Sequence, residues 1–520
     1  MKRKRLARSL AEFARLGIAT LAGGLRVGLG RRSSTHDRIS NRGIGTLIAT
    51  ALLAIAWSSA FAGADEPARR RPNIILILTD DMGIGDLSCY GGTLAATPNL
   101  DRMASEGIRF EQFYTASPIC SPSRTGFLTG MFPARWRITS YLQTRAGNAG
   151  CEQADFLDPR APSLARALKG SGYTTAHIGK WHMGGGRDVV DPPPFPAYGF
   201  DEHASTWESP DPHPDLTGGD FVWSPNDRVP RWERTAWMVD RTLEFLDRRK
   251  DRPCFVNLWP DDVHLPFIPD EASLPPRPAT NAAAKAKTKA AAKAKTKAVA
   301  LDTLERYRAV MKEYDRQIGR LLDGLRSRGI AEHTLVIFTS DNGAWPTYDG
   351  ARSGGFRGSK LSLYEGGIRM PFLAWWPGTV PAGRVDRSTV IGSVDLFPSL
   401  CTIAGAGTPK DAKLDGEDRS AAILGGAIPE RSRPLLWEYG RNDRFFVYPK
   451  GRDRSPNVAV RRGRWKLLIN ADGTGAELYD LELDKAETRN LAADRPDQTA
   501  ELTRIALDWR KSLPVPPARE

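Results

Sequence analysis

The chain has 520 residues, enough for one large core and a smaller second domain. Its 41% apolar and 26% charged residues are those of an ordinary soluble globular protein. The formal charge of +13 gives no case for a nucleic-acid partner, because residues 1–62 carry eleven Lys/Arg against Glu12 and Asp37, residues 285–297 carry six lysines, and the remainder is left at −2.

In chain order, basic residues end at Arg42, an apolar run covers 44–57, and Ala60-Phe61-Ala62 forms an A-x-A cleavage pattern. This predicts an export signal or an uncleaved N-terminal anchor over 1–62, a linker over 63–72, and a periplasmic or extracellular location. The apolar run is shorter than the roughly 20 residues that a membrane span needs.

Residues 73–78 (Asn-Ile-Ile-Leu-Ile-Leu) are a continuous apolar run, which predicts a strand buried on both faces of a parallel sheet. It ends in Asp80-Asp81. A second such strand, 334–340, ends in Asp341-Asn342-Gly343. Residues 255–259 form a third, followed by His264-Leu265-Pro266, and 174–180 a shorter one, followed by Trp181-His182. Helical patterns cover 97–106, 163–170, 232–249 and 301–328. Strands alternating with helices predict an α/β fold, a mostly parallel central sheet sandwiched by helices, over 73–410. Within it, 282–298 is low complexity: two octads, Ala-Ala-Lys-Ala-Lys-Thr-Lys-Ala, repeat back to back, with no apolar stripe to bury. A solvated, weakly helical insert is expected there. Residues 411–520 read as a smaller C-terminal domain, short alternating strands forming an antiparallel sheet with a helix over 497–513. Five cysteines are present. Without Cys120, four remain, either as two disulfides or as free buried thiols.

The segment 120–130, Cys-Ser-Pro-Ser-Arg-Thr-Gly-Phe-Leu-Thr-Gly, resembles the signature of the type I sulfatases, the formylglycine-dependent, arylsulfatase-like branch of the alkaline-phosphatase-like superfamily. In that family a maturation enzyme reads C-x-P-x-R and oxidises the cysteine to formylglycine. The resemblance implies that Cys120 becomes an aldehyde hydrate. One hydroxyl attacks sulfur and the second expels the enzyme-bound sulfate, which a serine could not do. It also implies one metal ion, held by Asp80, Asp81, Asp341, Asn342 and the modified residue 120. Hard oxygens with no His or Cys cluster suit Ca²⁺ or Mg²⁺ better than zinc, and the family favours Ca²⁺.

Gly179-Lys180-Trp181-His182 resembles the family's G-K-W-H segment. By that match Lys180 binds sulfate and His182 removes the proton that triggers its release. His264 matches a histidine near the leaving oxygen. Lys360, ahead of Glu365-Gly366-Gly367-Ile368-Arg369, matches a lysine that contacts sulfate and helps protonate the leaving group. Arg124 would hold the hydrate and the metal-side carboxylates. His177 reads as structural, and Glu365 and Arg369 as supports for the Gly-Gly turn. Many relatives carry a Tyr-Pro-His-Arg-like run after Thr-Gly; this chain has Met131-Phe132-Pro133-Ala134-Arg135 instead. Trp207, Glu208, Trp223, Tyr439 and Arg441 either line a sugar subsite or are ordinary exposed aromatics and surface charges. The implied substrate is a sulfated carbohydrate or aryl sulfate. Two other readings stay open: a phosphonate or phosphate monoester hydrolase of the same superfamily, and a catalytically silent protein that binds sulfated glycans.

Overall fold

The apolar run after the basic linker forms the middle of a large sheet, and its burial on both faces explains why it carries no polar alternation. The computed structural model describes residues 71–218, 226–275, 289–409 and 411–514; the 1–62 leader, residues 63–70 of the linker and residues 282–288 of the insert lie outside them. The strands are β1 (Asn73–Thr79), β2 (Ile108–Tyr114), β3 (Thr174–Gly179), β4 (Glu202–Ser205), β5 (Cys254–Trp259), β6 (Thr334–Ser340), β7 (Arg369–Trp375), β8 (Arg384–Asp386), β9 (Ile391–Gly392), β10 (Leu435–Glu438), β11 (Val458–Arg462), β12 (Trp465–Ile469) and β13 (Glu477–Asp480). The helices that matter here are α1 (Pro98–Glu106), α2 (Cys120–Thr129), α3 (Leu164–Gly170), α4 (Arg234–Arg248), α5 (Lys289–Ser327), α6 (Leu396–Ile403) and α7 (Pro496–Lys511).

The larger sheet has the order β4-β3-β5-β1-β6-β7-β2-β8, with β9 also paired to β2. Strands β4, β3, β5, β1 and β6 are parallel. β7 is antiparallel to both β6 and β2, so β2 points the same way as β1. The carboxyl ends of β1, β2, β3, β5 and β6 therefore share one edge with the amino end of β7. Ligands of open α/β sheets bind at such an edge.

Successive side chains of β1 point to opposite faces. Ile74, Leu76 and Leu78 join Phe127, Leu164 and Leu400 from α2, α3 and α6 on one side. Ile75 and Ile77 join Met103, Met238 and Leu321 from α1, α4 and α5 on the other. Helix α5 begins at Lys289, well before the expected start at 301. Alanine and lysine are good helix formers, and extending a helix that is already docked avoids the cost of a new nucleus. All five cysteines are free thiols, so the disulfide reading falls; Cys120, Cys151, Cys254 and Cys401 are buried, and Cys89 is half-buried.

In the C-terminal part, β10-β11-β12-β13 form an antiparallel sheet. Leu502 and Ala506 of α7 pack with Val458 and Leu467 of that sheet, in a cluster that also contains Tyr114, Cys120 and Ile368. A buried ionic knot joins the two sheets. Lys466 Nζ of β12 lies 2.9 Å from Glu365 Oε1 and 2.8 Å from Glu487 Oε1. Tyr114 Oη donates to Glu365 Oε2 at 2.6 Å, and Arg369 lies 3.2 Å from the same oxygen. The Glu365 N–H donates to Glu487 Oε2 at 2.7 Å. Glu365 and Arg369 thus brace the Gly366-Gly367 turn. Removing one partner from such a knot leaves buried charge uncompensated. Lys466→Ala is expected to cost about 3–5 kcal/mol, read by urea denaturation; a loss under about 1 kcal/mol would contradict this account.

Candidate active site

Strands β1 and β6 are neighbours in register, with Thr79 opposite Ser340. The residues just past their ends are therefore forced together. The Asp81 N–H donates to Asp341 Oδ1 at 3.2 Å, and Asn342 Nδ2 donates to Asp81 Oδ1 at 2.7 Å. Asp81 has φ 59°, a left-handed conformation rare outside glycine. Arg352 holds it there by donating to the Asp81 carbonyl at 2.8 Å while pairing with Asp86 at 2.8 Å.

Cys120 is the first residue of α2, and every residue of that helix is buried. Its thiol donates to Asp80 Oδ1 at 3.6 Å and accepts from Lys360 Nζ at 3.4 Å. One turn on, Arg124 Nη2 lies 2.7 Å from Asp341 Oδ2 and 3.3 Å from Asp80 Oδ1, while its Nη1 donates to the Lys180 carbonyl at 2.9 Å. Gly130 ends the helix at φ 66°, where a Cβ would lie 2.6 Å from Phe397 Cβ, so the trailing Thr-Gly of the motif closes α2 against α6.

Gly179 ends β3 at φ 114°, where a Cβ would lie 2.2 Å from the Trp259 carbonyl oxygen. That close approach lets the Lys180 N–H bond Trp259 O at 2.9 Å and turns Lys180 toward Asp80, 2.7 Å away. His182 Nε2 lies 3.1 Å from Glu208 Oε2. His264 follows β5; its Nδ1 meets the Leu265 carbonyl at 2.6 Å and its Nε2 lies 3.4 Å from Asp81 Oδ2. Lys360 Nζ pairs with Asp81 Oδ1 at 2.6 Å and lies 3.3 Å from His264 Nε2. Nine of the ten residues picked from the sequence so meet in one place, and His182 stands beside Lys180, two residues on.

The charges shape one another. Burial alone would raise Asp80, but Lys180, His264, Arg124 and Lys360 hold it well below the usual carboxylate range. Burial also dominates Asp341, which is pushed up to about 7 with Asp80 and Asp81 adding to the effect. Burial pushes the Cys120 thiol up to about 12, against the pull of Lys180 and Lys360, so it stays protonated and unreactive. Burial drives His264 down to about 4 and His182 to about 3, leaving both rings neutral.

The family model described as Sulfatase matches residues 72–406 of this chain. The chain belongs to the sulfatase family. A second model, described as N-sulphoglucosamine sulphohydrolase, C-terminal, matches residues 356–507. The chain is 36% identical to the N-acetylgalactosamine-6-sulfatase of Canis lupus familiaris over 417 residues, 75% of this chain and 72% of that one. It is 26% identical to an N-acetylgalactosamine-6-O-sulfatase of Bacteroides thetaiotaomicron, covering 84% and 92% of the two chains. A solved sulfatase from work on glycosaminoglycan metabolism in that bacterium superposes with TM-score 0.66 at 25% identity, over 85% of this chain and all of the other. A phosphonate monoester hydrolase of Agrobacterium radiobacter shares the fold, with TM-score 0.59 at 22% identity, over 85% and 96%.

The donors of this sulfatase fit a hard divalent cation. Asp81 Oδ2 and Asn342 Oδ1 are buried side-chain oxygens that receive no hydrogen bond. Such atoms are costly unless something positive meets them. Ligand atoms of Asp80, Asp81, Cys120 and His264 also lie within 4.8 Å of one another, which adds His264 to the groups beside a cation.

The sugar-subsite candidates disperse. Tyr439 is a buried core residue, edge-on to Phe446, and Arg441 pairs with Glu438 at 3.0 Å. Trp223 lies outside the described residues, and Trp207 carries the Arg187 guanidinium over its ring. Glu208 reaches His182, a pairing that no sequence spacing announces.

The raised Asp341 makes a pH prediction. A carboxyl whose folded pKa lies above its ordinary 3.8 stabilises the fold at low pH and loses that contribution as pH rises through about 7. A divalent cation on the carboxylate removes the penalty. Thermal stabilisation by added Ca²⁺ over chelator is therefore expected to grow from pH 5 to pH 8. The difference removes groups that do not couple to the cation, and a pH-independent difference would refute the assignment.

Proposed function

We propose that this sulfatase hydrolyses sulfate esters of sulfated carbohydrates, using residue 120 matured to formylglycine and a calcium ion held by Asp80, Asp81, Asp341 and Asn342. The placement of Cys120 carries the reading: the side chain that the motif marks for oxidation sits between Lys360 Nζ and Asp80 Oδ1, beside oxygens lacking hydrogen-bond donors. The carbohydrate preference follows the names of the relatives, and export follows the leader.

Formylglycine would supply two hydroxyls on one carbon, one to take the sulfuryl group and one to release it. Calcium would lower the pKa of the attacking hydroxyl and offset the negative sulfate. The chain's own groups do the rest. Lys180 and Lys360 are buried among carboxylates; despite the desolvation of burial their pKa values rise, so both stay charged for the sulfuryl oxygens. His264 Nδ1 must donate to the Leu265 carbonyl, which leaves Nε2 to accept from Lys360. The Lys360 ammonium, oriented by that ring, is the proton source for the departing alkoxide. Arg124 touches both strand-end carboxylates and holds them in place. His182 takes the proton whose loss releases sulfate. Because α2 is wholly buried, the maturation enzyme would read the 120–124 segment before the sheet closes over it.

The test is turnover of matured, calcium-loaded protein on 6-sulfated N-acetylgalactosamine, aryl sulfate, aryl phosphate and a phosphonate monoester, with the residue-120 peptide weighed in parallel. Sulfate esters are expected to turn over fastest. Cys120→Ala is expected to abolish release, and Lys360→Ala to lower kcat by about 10²–10⁴-fold. Faster phosphonate turnover would make the chain a phosphonate hydrolase, and binding of sulfated glycan without release would make it a silent scaffold.

A further inference from the structure

His182 and Glu208 touch twice. The His182 N–H donates to the Glu208 carbonyl at 3.0 Å, and the Glu208 carboxylate Oε2 lies 3.1 Å from His182 Nε2. The same ring nitrogen lies 3.2 Å from the Leu142 carbonyl oxygen. Both neighbours of Nε2 are acceptors, so Nε2 carries the hydrogen and the lone pair of the neutral ring sits on Nδ1. Nδ1 is buried and has no hydrogen-bond partner. The backbone contact matters as well, because His182 is held at φ 54°, a conformation that a side-chain-bearing residue keeps only when its surroundings impose it.

Glu208 is itself fixed. Its Oε1 accepts from Arg187 Nη2 at 2.9 Å. Burial would raise its carboxyl, and His182, Lys180 and Arg187 hold it below the usual range, so it is ionised.

We infer that Glu208 is a positioning residue for His182: it fixes the ring in the Nε2–H form, keeps Nδ1 bare as the proton acceptor, and offsets the charge that the ring gains. The inference rests on the sulfatase reading above. In the step it would serve, the remaining hydroxyl of a sulfated formylglycine at residue 120 would lose its proton to Nδ1, the O–H electron pair would become the aldehyde C=O bond, the C–O bond to sulfate would break with its pair leaving on sulfate, and Glu208 would stay a carboxylate throughout. The other charges acting on the ring are Lys180 and Arg124, which oppose its protonation, and Asp80, which favours it.

The test uses the full matured chain and two readouts. With ¹⁵N-labelled histidine, the resonance lost in His182→Gln is expected to report the Nε2–H tautomer in the parent; the Nδ1–H tautomer would overturn the inference. In kinetics, Glu208→Gln is expected to lower kcat by about 10²-fold, within the range that a positioned base supplies. KM should stay within about threefold, and the acid limb of the kcat profile should move to lower pH as the ring loses its anion. Glu208→Ala should lose more. The double variant Glu208→Ala/His182→Gln should be no worse than His182→Gln alone, because a residue acting only through His182 has nothing further to lose. Unchanged kcat and pH limb would overturn the inference. So would a raised KM at constant kcat, which would make Glu208 a substrate contact. If Glu208→Ala fails to fold, Glu208→Gln decides. If the parent turns over no sulfate ester, the sulfatase reading falls while the tautomer measurement still decides this one.

Discussion

Three carboxylates, Asp80, Asp81 and Asp341, stand side by side with no more than 1% exposure, and their mutual repulsion is the constraint that the rest of the molecule answers. Parallel pairing of β1 with β6 creates the crowding, since it brings the residues after both strands to one point. Each charge, unpaired in so dry a place, would cost several kcal/mol. The compensating cations come from three other places: Arg124 from α2, Lys180 from the end of β3 and Lys360 from the loop before β7. Near-neutrality therefore exists only when the whole sheet is assembled. A cation bound at the remaining oxygens would tip the corner positive, which suits an anionic ester.

Lys360 is the cation whose place is hardest to maintain, because it sits on a loop. Its N–H bonds the Ala344 carbonyl at 2.9 Å, just past Asn342, and the next N–H bonds the Pro118 carbonyl at 2.9 Å, just before Cys120. Ser362 Oγ donates to the Asp453 carbonyl at 2.8 Å, and the Leu363 N–H donates to Ser455 Oγ at 2.9 Å, tying the loop to the C-terminal part. The Lys466 knot then anchors the Gly-Gly turn that ends the loop. The C-terminal part so helps to shape the candidate site without supplying a residue to it: it holds the loop that carries Lys360.

What could be read in the sequence followed from how completely a segment is buried. β1, β5 and β6 are buried on both faces, so their residues form apolar runs with visible ends, interrupted in β5 only by Asn257. β2, with the burial of an edge-side strand, mixes Arg, Glu and Gln among its apolar residues and gave no such run. Residues set by covalent neighbours, such as the 120–130 motif, were legible. Residues outside any such motif, placed by tertiary partners alone, were not. Glu208 reads as a sugar-subsite residue or a surface acid until the fold brings it to His182, and Tyr439 as a subsite or exposed aromatic until β10 carries it into the core. The start of α5 was missed because alanine and lysine patterning records no burial.

His177 and His182 show how position along one strand decides a role. His177 lies inside β3, stacked on Phe195 and edge-on to Trp181 and Trp259. Burial depresses its pKa far below the ordinary value, and its Nε2 bonds only the Gly179 carbonyl at 3.2 Å, so it serves as a neutral core ring. Five residues on, past the carboxyl end, His182 meets a carboxylate instead of aromatic faces. The same step from core to candidate site occurs after β1 at Asp80, after β5 at His264 and after β6 at Asp341. The interior of β3 surrounds His177 with aromatic rings, which offer a charged imidazole no anionic partner. Past the strand ends, backbone carbonyls, a helix N-terminus and side chains from neighbouring loops converge, and ionised groups find the partners that let them stay buried and charged.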